Sequence, residues 1–306
     1  MSFLIDPHLP LTTEVRRIAA AEIDGALQQL AAARENPDEA LHECRKRLKS
    51  LRALFRLVRS GDEAFFRAEN ARYRDVAAGL AGPREAAALV ETVDRLGKAF
   101  PDEAAGGDLD PVRDRLVAHR DDIVGKDAGP AIDAAVASCK TGLRQIRKLR
   151  LPDEPQGAAD ILAEGMGKTM HRASKSLASA KARGAPEDFH ELRKALKAHS
   201  KHLSLLKKLW PSPVKARRKA VDALAERLGE LHDIFVMRAL LKDKEHPLGA
   251  LTETQLLARL CKRSERQLRK ASLAEASKLF RDSPKRAAKK AARKIRREFA
   301  EPHPAA

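Results

Sequence analysis

HECRKRLKSLRALFRLVR, residues 42–59, decides how the rest of the chain is read. Its periodicity is helical, about 100° per residue. His42, Arg45, Lys49, Arg52 and Arg56 follow one another in steps of three and four, so they share one face, with Lys46 beside them. Leu41, Cys44, Leu48, Leu51 and Phe55 form the adjoining apolar face. A near-copy, HELRKALKAHSKHLSLLKK, spans residues 190–208 and carries His190, Arg193, Lys194, Lys197 and Lys201. Like charges at this spacing repel in an isolated helix. A pattern that assembles them twice points to an anion as the partner.

The copies belong to a longer duplication. His42 and His190 are 148 residues apart, and so are Leu80-x-x-x-Arg84-Glu85 and Leu228-x-x-x-His232-Asp233. CKTGLRQIRK from Cys139 matches CKRSERQLRK from Cys261 at a spacing of 122. The shorter spacing places an insertion in the first half, near its acidic Gly/Pro segment. Duplication of several helices implies two similar bundles related by a pseudo-twofold axis.

Composition agrees with a helical, anion-binding chain. The 306 residues include 60 Lys+Arg against 43 Asp+Glu, a formal charge of +17. Up to Arg150 there are 25 basic and 24 acidic residues, and beyond it 35 and 19. The second half is therefore broadly cationic, and the first carries its positive charge locally. Such an excess speaks for a polyanionic partner, not for a fold. Aromatics make up only 4%, which argues against base stacking as the binding mode. Cys44, Cys139 and Cys261 show no paired spacing, as expected of reduced thiols in the cytoplasm. No apolar run reaches bilayer length.

Strand signals are sparse, so the fold is expected to be all-α. Helices are predicted over about 11–34, 37–60, 62–80, 85–96, 130–150, 158–183, 186–210, 215–242 and 252–269, with a final basic helix from 284 to about 300. Residues 100–111 (FPDEAAGGDLDP) read as a loop and 152–157 as a linker. The division expected is a body over 1–282, with bundles over about 11–150 and 158–280, followed by a basic tail over 283–306.

Further basic clusters could join the two stripes. Lys168, His171, Arg172 and Lys175 share a helical face, and Arg144, Arg147 and Lys148 match Arg266, Arg269 and Lys270. Catalytic patterns are missing: no P-loop, no Gly-rich dinucleotide turn, no G-x-S-x-G and no H-E-x-x-H. No metal, cofactor or catalytic residue is expected. His199 projects toward the apolar side of its helix, and Arg84-Glu85 and His232-Asp233 read as braces between helices.

H-x-x-R-[KV]-x-x-[KR] opening a long basic helix, L-x-x-x-[RH]-[DE] one helix later, and the repetition of both resemble the CHAD family of histidine-marked α-helical domains. The resemblance spans about 11–280. It implies two four-helix bundles around a basic central surface, binding of inorganic polyphosphate, and recruitment to polyphosphate granules. By position it assigns that binding to His42, Arg45, Lys46, Lys49, Arg52 and Arg56, and to His190, Arg193, Lys194, Lys197 and Lys201. Ser200 and Ser204 stand where Arg52 and Arg56 stand in the first half, so the first stripe is expected to contribute more. The stripe histidines, titrating near 6.5, are expected to tighten binding between about pH 8 and 6. The rival readings are nonspecific nucleic-acid binding through the 285–297 helix and, in another class, a polyphosphate-processing enzyme. Membrane binding ranks last, because that helix lacks an apolar face to insert.

Overall fold

Six prolines each open a helix, at Pro37, Pro101, Pro155, Pro186, Pro211 and Pro284. A missing N–H costs nothing at that position, and the fixed φ suits the first turn. The computed structural model describes residues 3–35, 37–105, 109–124, 129–209, 211–243, 247–248, 253–281 and 284–300. Among them it is all helical: α1 (Leu11–Ala32), α2 (Pro37–Leu57), α3 (Glu63–Gly79), α4 (Gly82–Ala99), α5 (Pro101–Ala104) and α6 (Asp110–Val124) come first. They are followed by α7 (Gly129–Ile146), α8 (Pro155–Ala182), α9 (Pro186–Leu205), α10 (Pro211–Leu240), α11 (Glu253–Leu279) and α12 (Pro284–Ala300). Short 3₁₀ turns close α2 and α9 at Arg59–Gly61 and Lys207–Leu209. Gly184 ends α8 with φ +65°, the left-handed turn that glycine adopts without Cβ strain.

Two apolar cores hold these helices. The larger joins α1, α2, α3, α7, α8 and α9 to the middle of α10 and to residues of α11 and α12. The smaller is made by α4, α6, the last turns of α10 and the first turns of α11. Each core draws side chains from both sides of residue 150. Cys139 lies in the larger and Cys261 in the smaller, so the two matched decapeptides occupy different surroundings. Close approach rests on small residues. A Cβ on Gly165 would sit 1.8 Å from the Leu57 carbonyl oxygen, and one on Gly142 would sit 1.7 Å from the Tyr73 hydroxyl.

Four elements depart from the sequence reading, among them the short α5, which falls inside the 100–111 stretch read as a loop. The acidic segment after residue 108 contains α6, whose Leu109, Val112 and Leu116 are buried against α4. Only three apolar positions in steps of three and four carry it, among many charges. α11 runs ten residues beyond Arg269, because Ser272 and Ala276 keep its buried side going. The basic helix α12 is docked rather than trailing: it packs along α8, Ile295 is fully buried, and Arg296 pairs with Asp160 at 2.6 Å. The side chains of Lys285, Ala287 and Ala288 lie outside the described residues, as do Ser283 and 301–306.

Removal of residues 283–306 therefore uncovers α8. Burying one Ile side chain stabilises by about 1.5–3 kcal/mol. The truncated chain should unfold at lower denaturant concentration by at least that amount, measured against the full chain by circular dichroism. An unchanged midpoint would mean that α12 adds nothing to the core.

Candidate anion-binding face

α2 and α9 cross antiparallel. His202 of α9, fully buried, bonds through Nε2 to the Ala53 carbonyl of α2 at 2.9 Å. Arg56 interacts electrostatically with Glu191, and Lys46 with Lys201. The start of one helix thus faces the end of the other. Leu48, Leu51, Leu54, Leu192, Leu196 and Leu203 are buried beneath the crossing. Above it His42, Lys46, Lys49, Lys194 and Lys197 are exposed. The sequence order of the stripes is therefore not their spatial order: each end of the face combines residues of both copies.

At one end, Arg52 and Arg56 of α2 meet Arg172 of α8. Arg52 gives its Nε–H to Asn70 at 3.1 Å. Burial pulls the Arg56 guanidinium down to about 10, with Arg172, Arg52 and Arg59 adding like-charge repulsion. Arg52 is lowered by burial and then by Arg74. Glu191 supplies the counter-charge, 2.6 Å from Arg172 and 2.5 Å from Lys194. Burial alone would raise its carboxyl, but those two hydrogen bonds outweigh it and hold it near 2.

The other end holds Ser200 and Ser204, where the sequence implied a loss of charge. Ser200 donates to Asp222 at 2.5 Å, and Ser204 accepts from Arg218 at 3.3 Å. Lys201, Arg47, Lys207 and Arg218 line a cavity there together with Lys46, so cations from α2, α9, α10 and the 3₁₀ turn replace the two missing arginines. Lys201 is lowered by burial, with Glu22 opposing and Lys46 and Lys197 reinforcing the shift. Arg47, Lys207, Arg218 and Glu22 escaped the sequence reading because only tertiary packing unites them. Lys46 pairs with Glu43 at 2.9 Å, an i,i+3 contact that mirrors Lys194 with Glu191.

Arg45 and Arg193 serve the scaffold. Pro83 cannot donate a backbone N–H to Gly79, four residues earlier, where α3 ends, and carbonyls are released at the junction with α4. Arg45 Nη1 donates to two of them, Leu80 at 3.2 Å and Ala81 at 3.0 Å. In the second copy no proline intervenes and α10 runs through. Arg193 lies against Gly229 with Asp233 the nearby counter-charge, and burial lowers its pKa. Asp233 also pairs with Arg95 of α4 at 3.1 Å, so it braces α10 to α4. The Arg84 side chain is outside the described residues.

The histidine expectation needs correction for His190. It is half-buried, its ring stacks on His232 with centroids 4.7 Å apart, and burial lowers its pKa to about 4, helped by His232. In the ligand-free fold it is therefore neutral between pH 6 and 8, and it does not supply the standing positive charge that the expectation assigned to it.

Among the secondary clusters, Arg172 joins the face through Glu191. Lys168 pairs with Glu164 at 2.7 Å, and it lines a separate groove between α8 and α12 with His171. Lys175 is exposed farther along α8. Arg144, Arg147 and Lys148 are exposed at the end of α7, which packs on α1 and α3. Arg269 is a brace: it pairs with Glu265 at 2.7 Å, reaches the Gly184 carbonyl, and covers the rings of Phe189 and Phe235. Arg266 and Lys270 are exposed on α11.

A family profile described as CHAD domain matches residues 17–242. The crystal structure of the CHAD domain from the plant Ricinus communis superimposes with a TM-score of 0.60 at 18% identity, covering 96% of this chain and 95% of that one. No curated protein sequence matches.

Two outcomes follow from this geometry. Arg45→Ala removes the guanidinium donor from the Leu80 carbonyl and one of two donors from the Ala81 carbonyl, and should destabilise the fold by about 1–3 kcal/mol. Urea titration of the variant checks this. His199 and His202, held neutral by burial down to about 3 and about 4, take up protons near 6.5 when unfolded. The unfolded state then binds more protons between those values. Stability is fully present above about pH 6.5 and falls as pH drops toward 4, by up to about 1.4 kcal/mol per unit for each histidine. Melting temperatures recorded from pH 7.5 to 4.5 should decline, and less steeply in His202→Asn.

Proposed function

The chain belongs to the CHAD domain family, and on that premise we propose that it binds inorganic polyphosphate without hydrolysing it, along the crossing of α2 and α9. We read those helices as the two copies of a duplicated unit, brought side by side by the pseudo-twofold axis that the 148-residue spacing implies. A two-bundle division at about 150 fits this reading only if the units exchange core contacts, because both cores take residues from each half.

The observation that carries the proposal is the crowding of Arg52, Arg56 and Arg172 at one end of the crossing. Three guanidinium groups face one another, partly out of water, with Glu191 as the counter-charge. Like charges so placed raise the free energy of the empty face, and a polyanion lowers it. The exposed Lys46, Lys49, Lys194 and Lys197 extend the positive charge across the crossing. A chain of phosphoryl groups offers oxygens on every side and nothing else to recognise. Lys and Arg in an array suit it through charge-assisted hydrogen bonds. No described helix is long and apolar enough to cross a membrane, and the cellular setting we propose is the cytoplasm, at polyphosphate granules.

The antiparallel crossing changes which variants test the site. Arg45 and Arg193 brace the scaffold, so their loss would confuse folding with binding. Lys49→Ala with Lys197→Ala removes one cation from each helix where they are exposed. At physiological salt the pair should weaken long-chain polyphosphate binding at least about tenfold and flatten the dependence of log Kd on log salt. Duplex DNA should bind more weakly than polyphosphate at equal phosphate concentration. Equal affinity for both ligands would favour the nucleic-acid reading instead. Phosphate release lost on a point substitution would favour an enzyme.

A further inference from the structure

The cavity at the Ser200–Ser204 end of the crossing has a different character from the open face. It has a volume of about 440 Å³, and five cations line it: Lys46, Arg47, Lys201, Lys207 and Arg218. They come from α2, α9, the 3₁₀ turn and α10, so no single helical periodicity explains their meeting. The carboxylates facing them are Glu22 and Glu43.

The wall is built. Arg47 lies flat over Gly25 of α1, where a Cβ would stand 2.4 Å from its guanidinium, so this glycine makes the room the side chain occupies. Glu22 steadies the same guanidinium at 3.9 Å, and its carboxyl is raised by burial against the pull of Arg47 and Lys201. Lys201 is placed over the ring of Phe3 at 5.6 Å. The N-terminal strap that carries Phe3 is pinned by Ile5, which donates its N–H to the Leu205 carbonyl at 2.9 Å and is itself buried. Lys208 pairs with Asp6 next to it. Phe3 and Leu4 thus form one side of the cavity, and the strap is tied down just after them, at Ile5 and Asp6.

We propose that this cavity receives the terminal phosphoryl group of the polyphosphate chain, while the crossing holds the internal groups. The assignment rests on the polyphosphate reading above. An internal phosphoryl group carries one negative charge and two free oxygens. The terminal one has three free oxygens and takes a second charge near neutrality, as phosphate monoesters do with a second pKa of about 6. A site that converges five cations within one concavity matches the group with the higher charge and the wider fan of acceptors. A linear array of exposed lysines matches the repeating interior.

The test uses the full chain and three ligands: tripolyphosphate, long-chain polyphosphate, and the same long chain with both ends capped as neutral amides. Lys207→Ala with Arg218→Ala alters the cavity, and Lys49→Ala with Lys197→Ala alters the crossing. One charge-assisted hydrogen bond contributes about 1.5–3 kcal/mol, so the cavity pair should weaken tripolyphosphate binding at least about tenfold. End-capping should weaken long-chain binding to the natural protein and have no effect on the cavity variant. The crossing pair should chiefly weaken the long chain. Long chains that bind equally well capped and uncapped, with tripolyphosphate untouched by the cavity pair, would overturn the end-group assignment and leave the polyphosphate reading intact. No binding of long chains would overturn that reading, and loss of tripolyphosphate binding in the cavity pair would still support the cavity as a phosphoryl site. Circular dichroism of each variant separates lost binding from lost fold.

Discussion

Two helices rich in lysine and arginine are held in contact at the centre of the molecule, and every other feature follows from how that contact is tolerated. Water screens the exposed ammonium groups, so repulsion between two of them at close range amounts to about 1 kcal/mol. Each leucine buried beneath the crossing contributes about 1.5–3 kcal/mol in the opposite direction. Several leucines from each helix are buried there, so apolar packing wins by a wide margin. His202 fixes the register through the Ala53 carbonyl, and burial keeps that imidazole neutral, so it adds no further charge. The outcome is a surface where cations are held closer than they would choose in a free chain.

Internal counter-charges limit how much repulsion remains. Glu43 and Glu191 occupy equivalent positions in the two copies, and each holds the lysine three residues on. An anion with a single charge would have to displace these carboxylates for little return. A chain that meets several cations at once loses less, since every contact after the first is intramolecular. On the proposed reading, the same pairs that stabilise the empty face would favour extended polyanions over small ones at the crossing.

The helical fold, the duplicated basic helices and most helix starts were legible because each depends on local chemistry. Pro37, Pro186 and Gly184 mark ends wherever they fall. α6 was not legible, since three apolar residues among acids give too faint a period. The site was half legible. Stripe periodicity placed Lys46, Lys49, Lys194 and Lys197 on a face that is exposed, but it could not distinguish Arg45 and Arg193, which turn inward, from neighbours that stay out. That distinction is set by Pro83 and Gly229 on other helices. Nor could spacing reveal that the helices cross antiparallel, with Ser204 among Arg47, Lys207 and Arg218 and Ser200 against Asp222. The neutral His190 has the same origin: its partner, His232, is a helix away.

The docking of α12 on α8 bears on how the protein is made. α8 lies near the middle of the chain, and it also packs against α2, which is among the first segments to leave the ribosome. Its neighbour α12 is synthesised after all the other helices that pack on it. Until α12 emerges, the side of α8 that covers Ile295 is exposed, and the larger core has an open seam. Early helices can form and pair during translation, but closure of that seam waits until α12 has been made. In that interval a strongly cationic nascent chain shows apolar surface beside ribosomal RNA. A chaperone that covers α8 during this delay, or fast docking of α12 on release, would decide how much of the protein reaches its native state.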